Sequence, residues 1–135
     1  MALHWVPELS VGIDKIDNQH KELFITINEL VNAMSQGRGR EEIGKTVDFL
    51  QRYVVAHFGV EEKYMADLGY PHFANHKQQH EKFVQDFLLL REQLETQGSS
   101  SFMVMQIQRR ICDWLVNHIG RMDKSLGVFL TRKAA

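Results

Sequence analysis

Apolar residues recur every three or four positions through most of the chain, the period of a helix with one buried face. Leu23, Phe24, Ile27, Leu30, Val31 and Met34 form one such stripe. They predict a first helix from about Asn18 to Gln36, capped by Asp17 and broken by Gly37-Arg38-Gly39. A second helix is expected from about Arg40 to Leu68, with Ile43, Val47, Leu50, Val54, His57, Glu61 and Tyr64 or Met65 on one face, until Gly69-Tyr70-Pro71 ends it. A third runs from about His72 to Gln97 through His76, His80, Phe83, Val84, Phe87 and Leu94, and Gly98-Ser99-Ser100-Ser101 forms the next turn. The fourth starts near Phe102, carries Val104, Ile107, Ile111, Trp114, Leu115 and His118, and is expected to loosen near Gly120. Residues 1–16 read as an irregular arm, with Pro7, Gly12 and no sustained period. Residues 121–135 read as a tail whose Leu126, Val128, Phe129 and Leu130 pack back as a last helical turn. No segment alternates as a strand does. Short connections favour antiparallel neighbours, so the expected fold is all-α: one domain, an up-down-up-down antiparallel four-helix bundle over residues 17–120.

Composition narrows the function. The chain has 135 residues, of which 44% are hydrophobic, enough for a core of its own. Its 16 basic and 17 acidic residues give a net charge of -1, so no basic field is available for nucleic acid. The longest apolar runs, such as Phe87-Leu88-Leu89-Leu90, are too short to span a bilayer. The opening Met1-Ala2-Leu3-His4-Trp5 has neither the charged nor the apolar region of a signal peptide. A single cysteine, Cys112, suits a reducing compartment and reads as a small buried hydrophobe, so a cytoplasmic protein is expected.

Chemistry enters through the histidines. Of seven, His4 and His72 fall outside the helical stripes and read as surface residues, while His20, His57, His76, His80 and His118 fall on them. His57 and Glu61, and again His76 and His80, are spaced i, i+4, which places both members of each pair about 40° apart on one helix face. His118 and Asp123 are five apart, about 140° in a regular helix, so both reach one site only if the helix breaks or widens near Gly120. Five imidazoles and two carboxylates are too many for one metal ion and suit two. If Glu61 and Asp123 each bridge, the protein fills nine of the twelve positions of two octahedral ions. A bridging oxide or hydroxide fills two more. One position stays open, on the ion with fewer histidines, where a small ligand such as dioxygen fits. A histidine-rich, anion-poor site favours reversible binding over oxygen activation. Zinc seldom needs this many ligands and does not take up dioxygen. Nothing resembles a general acid in a substrate cleft, so the chain is not expected to be an enzyme.

These motifs resemble the hemerythrin family. The match comprises His20 in D-x-Q-H, H-x-x-x-E at His57 to Glu61, H-x-x-x-H at His76 to His80, and H-x-x-x-x-D at His118 to Asp123, across nearly the whole chain. The resemblance implies a di-iron centre, oxo- or hydroxo-bridged. In it His76, His80 and His118 hold the saturated iron, His20 and His57 hold the open one, and Glu61 and Asp123 bridge. It also implies a dry dioxygen pocket walled by Leu23, Phe58, Leu115 and Ile119, with Trp114 as a pocket tryptophan. The W-x-P-E-L-S-V-G-I-D-x-I-D-x-Q-H opening, from Trp5 to His20, is similar to bacterial members, which stand alone or sit at the ends of sensory proteins such as chemotaxis receptors. Oxygen carriage or storage is the expectation, and oxygen or redox sensing at the same site is the alternative.

Overall fold

A computed structural model describes residues 3–38, 40–98 and 100–134; the expectations for Met1, Ala2, Gly39, Ser99 and Ala135 lie outside the described residues. The arm contains one short 3-10 turn, Pro7–Leu9, and then leads into α1 (Asp14–Ser35), α2 (Arg40–Leu68) and α3 (Phe73–Gln97). The fourth helix spans residues 101–134 in five consecutive segments. These are α4 (Ser101–Ile107), a wide π-type turn (Gln108–Asp113), α5 (Trp114–His118), a second π-type turn (Ile119–Asp123) and α6 (Lys124–Ala134). Every junction between them keeps helical backbone angles, so the helix changes width without breaking. α1 packs on α2 and α4, and α3 on α2 and α4, as in a four-helix bundle.

The helix ends follow local chemistry. Ser100 caps α4, its Oγ accepting from the Met103 backbone N–H at 3.1 Å. Gly69, at φ 68°, takes the left-handed conformation that closes α2 and lets the Tyr70 N–H reach the Met65 carbonyl at 2.9 Å. The first helix differs from expectation at its start. It begins at Asp14, three residues before Asp17, and Ile13 occupies the capping position without a side-chain bond. The buried Asp17 carboxylate serves the arm instead: it accepts from Ser10 Oγ at 2.6 Å and from the Val11 backbone N–H at 2.9 Å. The last segment also differs. Residues 124–134 do not form a separate tail but carry the fourth helix on for about three more turns, with Leu126 and Leu130 buried. The irregularity expected near Gly120 is present as a widening: Gly120 lies inside the second wide turn, and the helix continues through it.

Two apolar clusters result. The larger includes Leu23, Phe58, Phe83 and Ile119; the smaller, at one end, is built from Val11, Ile16, Met65, Tyr70, Leu126 and Leu130. Along α1 the smaller cluster precedes the larger, Ile16 before Leu23. Along α2 the order reverses, Phe58 before Met65, and it reverses again in α3, Phe73 before Phe83, and in the fourth helix, Ile119 before Leu126. Those reversals are the up-down-up-down topology. The residues between the clusters on each helix are the polar ones: His20, then His57 and Glu61, then His76 and His80, then His118 and Asp123.

Candidate metal centre

The polar layer is nearly dry. His20, Glu61 and His76 are 0% exposed, His80 and Asp123 1%, His57 2% and His118 4%. Each is delivered by its helix register. The i, i+4 pairs sit on regular α-helix, and the i, i+5 pair spans the wide turn at Ile119–Asp123, whose i→i+5 bonding returns residues five apart to one face. His4 and His72 are exposed and belong to neither donor group.

The donor atoms sort into two groups, each with all its ligand atoms within 4.8 Å of one another: Glu61, His76, His80, His118 and Asp123 in one, and His20, His57, Glu61 and Asp123 in the other. In the first group His118 Nε2 lies 3.1 Å from His76 Nε2 and 3.2 Å from His80 Nε2. Asp123 Oδ1 is 2.9 Å from His76 Nε2 and 3.1 Å from His118 Nε2, and Glu61 Oε1 is 3.1 Å from His80 Nε2. In the second group Asp123 Oδ2 is 3.1 Å from His20 Nε2, while Glu61 Oε2 is 3.4 Å from His20 Nε2 and 3.3 Å from His57 Nε2. Each carboxylate therefore turns one oxygen to each group.

A bond inventory shows what this convergence lacks. Both oxygens of Glu61, both of Asp123 and both ring nitrogens of His20 are buried without a hydrogen bond of proper geometry. Orphaned polar atoms in such number are rare in a folded interior. One proton on His118 Nε2 satisfies one of its two imidazole neighbours. A cation serves every donor at once. Donors about 2.1 Å from one ion and at right angles to each other stand about 3 Å apart, which matches the separations above. The donor set of nitrogen and oxygen fits iron.

The charges agree. Burial alone pushes a carboxyl up, yet the Glu61 carboxyl is held well below its ordinary range because His57 and His20 outweigh both burial and its neighbour Asp123. Asp123 is likewise held low against burial by His118, His20 and His76. Burial lowers His20, but Asp123 and Glu61 win and raise it to about 9. His80 also rises against burial, through Glu61 and Glu62, whereas burial lowers His118. The imidazoles thus favour the ionised carboxylates, and the carboxylates in turn favour a protonated His20.

Around the donors, Phe58 stacks on His80 (centroids 3.8 Å apart, planes at 3°) and Trp114 on His118 (4.4 Å, 10°). Both aromatic residues expected at the pocket thus lie against the three-histidine group. Leu23, Leu115 and Ile119 are buried at 1% or less in the same cluster. Tyr70 meets the edge of the His76 ring, and Tyr64 packs on the end cluster. The Cys112 thiol is pushed up to about 11 by burial and by Asp113, so it stays protonated and apolar. Sequence reasoning missed three residues. Gln19, Glu62 and Gln79 bond the outer Nδ1 atoms of His57, His80 and His118 at 2.7, 3.0 and 3.3 Å. Each is the immediate sequence neighbour of a donor, and Gln19 also stands in the D-x-Q-H motif, which gave it no role of its own.

Fold and site together define a class: a four-helix bundle whose buried His, Glu and Asp side chains gather into two overlapping groups able to hold metal ions. The chain belongs to the hemerythrin family, whose "Hemerythrin HHE cation binding domain" matches residues 11–130. It is 37% identical over 124 residues to a bacteriohemerythrin of Methylococcus capsulatus, covering 92% of each chain. It is 32% identical over 123 residues to a bacteriohemerythrin of Stenotrophomonas maltophilia, covering 91% of this chain and 78% of the relative. A hemerythrin-like protein of Naegleria gruberi is 34% identical over 120 residues, 89% of this chain and 87% of that one. A crystal structure of wild-type hemerythrin superimposes with a TM-score of 0.82 at 35% identity, covering 94% of this chain and 96% of that one.

Proposed function

We propose that this protein binds dioxygen reversibly at a pair of iron ions and acts as an oxygen carrier or store. The observation that carries the reading is the unequal sharing of donors. Five side chains converge on one position and four on the other, and both carboxylates serve both. In this reading His76, His80 and His118 hold one ion, His20 and His57 the other, and Glu61 and Asp123 bridge. The four-donor side is where an exogenous ligand enters. When bound, two ferrous ions supply the two electrons by which dioxygen is taken up and later returned.

The chain's own part is to set the donors and keep water out. Leu23, Leu115 and Ile119 supply buried apolar surface beside the donors, and a dry surround slows proton delivery and loss of reversibility. Phe58 and Trp114 hold the His80 and His118 rings in plane by stacking. The dioxygen-pocket role of these five residues belongs to the same proposal. The relatives match over most of their own length as hemerythrins, which favours a carrier over the sensory alternative. Binding without catalysis fits a chain whose curated relatives are bacteriohemerythrins. No described helix is long and apolar enough to cross a membrane, and the single buried thiol suits the cytoplasm, where we place the protein.

Metal analysis and an optical spectrum test the reading. Reduced, iron-loaded protein should be nearly colourless without oxygen, turn pink in air and bleach when oxygen is withdrawn. His118→Ala should lower the iron content below two per chain. Fewer than two irons in fully loaded wild-type protein, or two in His118→Ala with an unchanged spectrum, would overturn it.

A further inference from the structure

The three outer bonds are arranged in an order around the bundle. Gln19 on α1 reaches His57 on α2; Glu62 on α2 reaches His80 on α3; Gln79 on α3 reaches His118 on the fourth helix. Every latch therefore runs from one helix to the next in chain order. Each starts beside a donor of its own helix and ends on the Nδ1 of a donor of the following one. The inner atoms of the same rings, the Nε2 of His57, His80 and His118, point at the carboxylates and at one another. An imidazole that gives its Nδ1 proton to an acceptor keeps its Nε2 lone pair free, and that lone pair is what a metal needs.

The three latches differ in chemistry. An amide presents either an oxygen or an NH2 group to a ring, but the Glu62 carboxylate only accepts. It lies 25% exposed, and with His80 and Phe58 it lines a groove of about 450 Å³ between α2 and α3. The groove exposes Glu62 to solvent while the His80 side chain stays 2% exposed. A charged acceptor at 3.0 Å holds the His80 N–H proton more firmly than a neutral one.

We propose that Gln19, Glu62 and Gln79 are positioning residues that fix His57, His80 and His118 as Nε2 donors before metal arrives, and that Glu62 is the anchor of the set. The proposal rests on the metal reading above, and its first test needs no metal. In metal-free protein at alkaline pH, where the imidazoles are neutral, nitrogen–proton correlation spectra of the rings should place the His80 proton on Nδ1. Glu62→Gln should keep it there with faster solvent exchange, and Glu62→Leu should lose the preference. Ferrous affinity, measured by chelator competition, should fall about tenfold or more in Glu62→Leu, the range expected for loss of a ligand's outer partner. It should fall less in Glu62→Gln. Glu81→Gln, which removes an acidic side chain from the same groove, should change neither readout.

A His80 proton on Nε2 in the wild-type protein overturns the proposal, and that measurement stands even if Glu62→Leu fails to fold. So does a Glu62→Leu protein with an unchanged ring spectrum and ferrous affinity within twofold of wild type. A wild-type chain that shows the Nδ1 proton but binds no pair of irons would sink the oxygen-binding reading and leave the latches standing.

Discussion

Replacing Gly127 with alanine should destabilise the protein, although alanine is the better helix former. Gly127 is buried in α6, where the helix crosses the arm. A Cβ there would lie 2.0 Å from the Val11 carbonyl oxygen, 2.8 Å from its carbon and 2.9 Å from its Cβ. Ordinary contact begins at 3.4 Å, so helix and arm must part by more than an ångström. The arm is not free to yield, because Val11 N–H and Ser10 Oγ are both bonded to the buried Asp17 carboxylate. Overpacking of this kind costs about 1–3 kcal/mol, and losing a bond to a charged group costs about 1.5–3 kcal/mol. The helix-propensity gain of about 1 kcal/mol offsets part of that. A net loss of about 1.5–5 kcal/mol is expected, or roughly 5–18 °C in Tm for a chain of this size. Gly44→Ala is the internal control. Its Cβ would meet nothing within 4 Å, so the same substitution in α2 should stabilise, by about 0.5–1 kcal/mol. Urea and thermal denaturation of metal-free protein measure both, since bound metal would mask the difference by mass action. A Gly127→Ala protein as stable as wild type, or more stable, would refute the close-approach argument.

Asp17→Ala should remove both arm bonds and lower stability by about 2–4 kcal/mol, with faster amide exchange at Val11; unchanged exchange there would show that another group holds the arm. Ile119→Thr should put a hydroxyl beside the donors and raise the rate at which air-exposed, iron-loaded protein loses its reversible colour severalfold; an unaltered rate would remove Ile119 from the pocket. Metal affinity should weaken as pH falls from about 9 toward 6, because a proton on the raised His20 must leave before a cation enters; a flat affinity profile over that window would count against the raised His20. For the metal-free protein, the raised His20 contributes stability below its ordinary value of 6.5 and loses it as pH rises through about 9. The depressed Glu61 and Asp123 contribute above the usual carboxylate range and lose it only as pH falls well below that range. Denaturation midpoints should therefore decline on the alkaline side near that value and hold through moderate acidity.

The helices and the donors were legible for the same reason: both are periodic. A stripe such as Leu23, Ile27, Leu30 and Met34 and a pair such as His76 and His80 obey one rule, and all of them are buried as that rule requires. What escaped was aperiodic. Asp17 carries the right side chain for a helix cap, but the chain turns helical at Asp14 and uses the carboxylate on Ser10 and Val11, a choice set by how the arm folds back. The last segment looked like a tail because Gly120 weakens a helical reading, and Gly127 lies beyond it. Gly127 serves tertiary geometry by admitting the arm, whereas Gly120 lies exposed in the wide turn with open space where a Cβ would stand. Gln19, Glu62 and Gln79 look like surface residues in a periodicity plot, and only the neighbouring helix shows what they bond.

The wide turn and the close approach at Gly127 answer one requirement. In an unbroken α-helix Asp123 would point about 140° away from His118. The turn at Ile119–Asp123 takes up one extra residue and brings Asp123 back to the inner face. Everything after it turns by the same amount. Leu126 and Gly127 stand three and four residues beyond Asp123 and Leu130 seven beyond, so all three share its face. All three are buried, the leucines in the end cluster and the glycine against Val11. The same inserted residue that brings the Asp123 carboxylate to the inner face therefore aims α6 at the arm. With Leu126 and Leu130 packed on Ile16 and Met65, rotation of α6 about its axis would pull apolar side chains out of that cluster. The end cluster is thus the support that holds Asp123 in register with Glu61, from a part of the chain that contains no donor of its own.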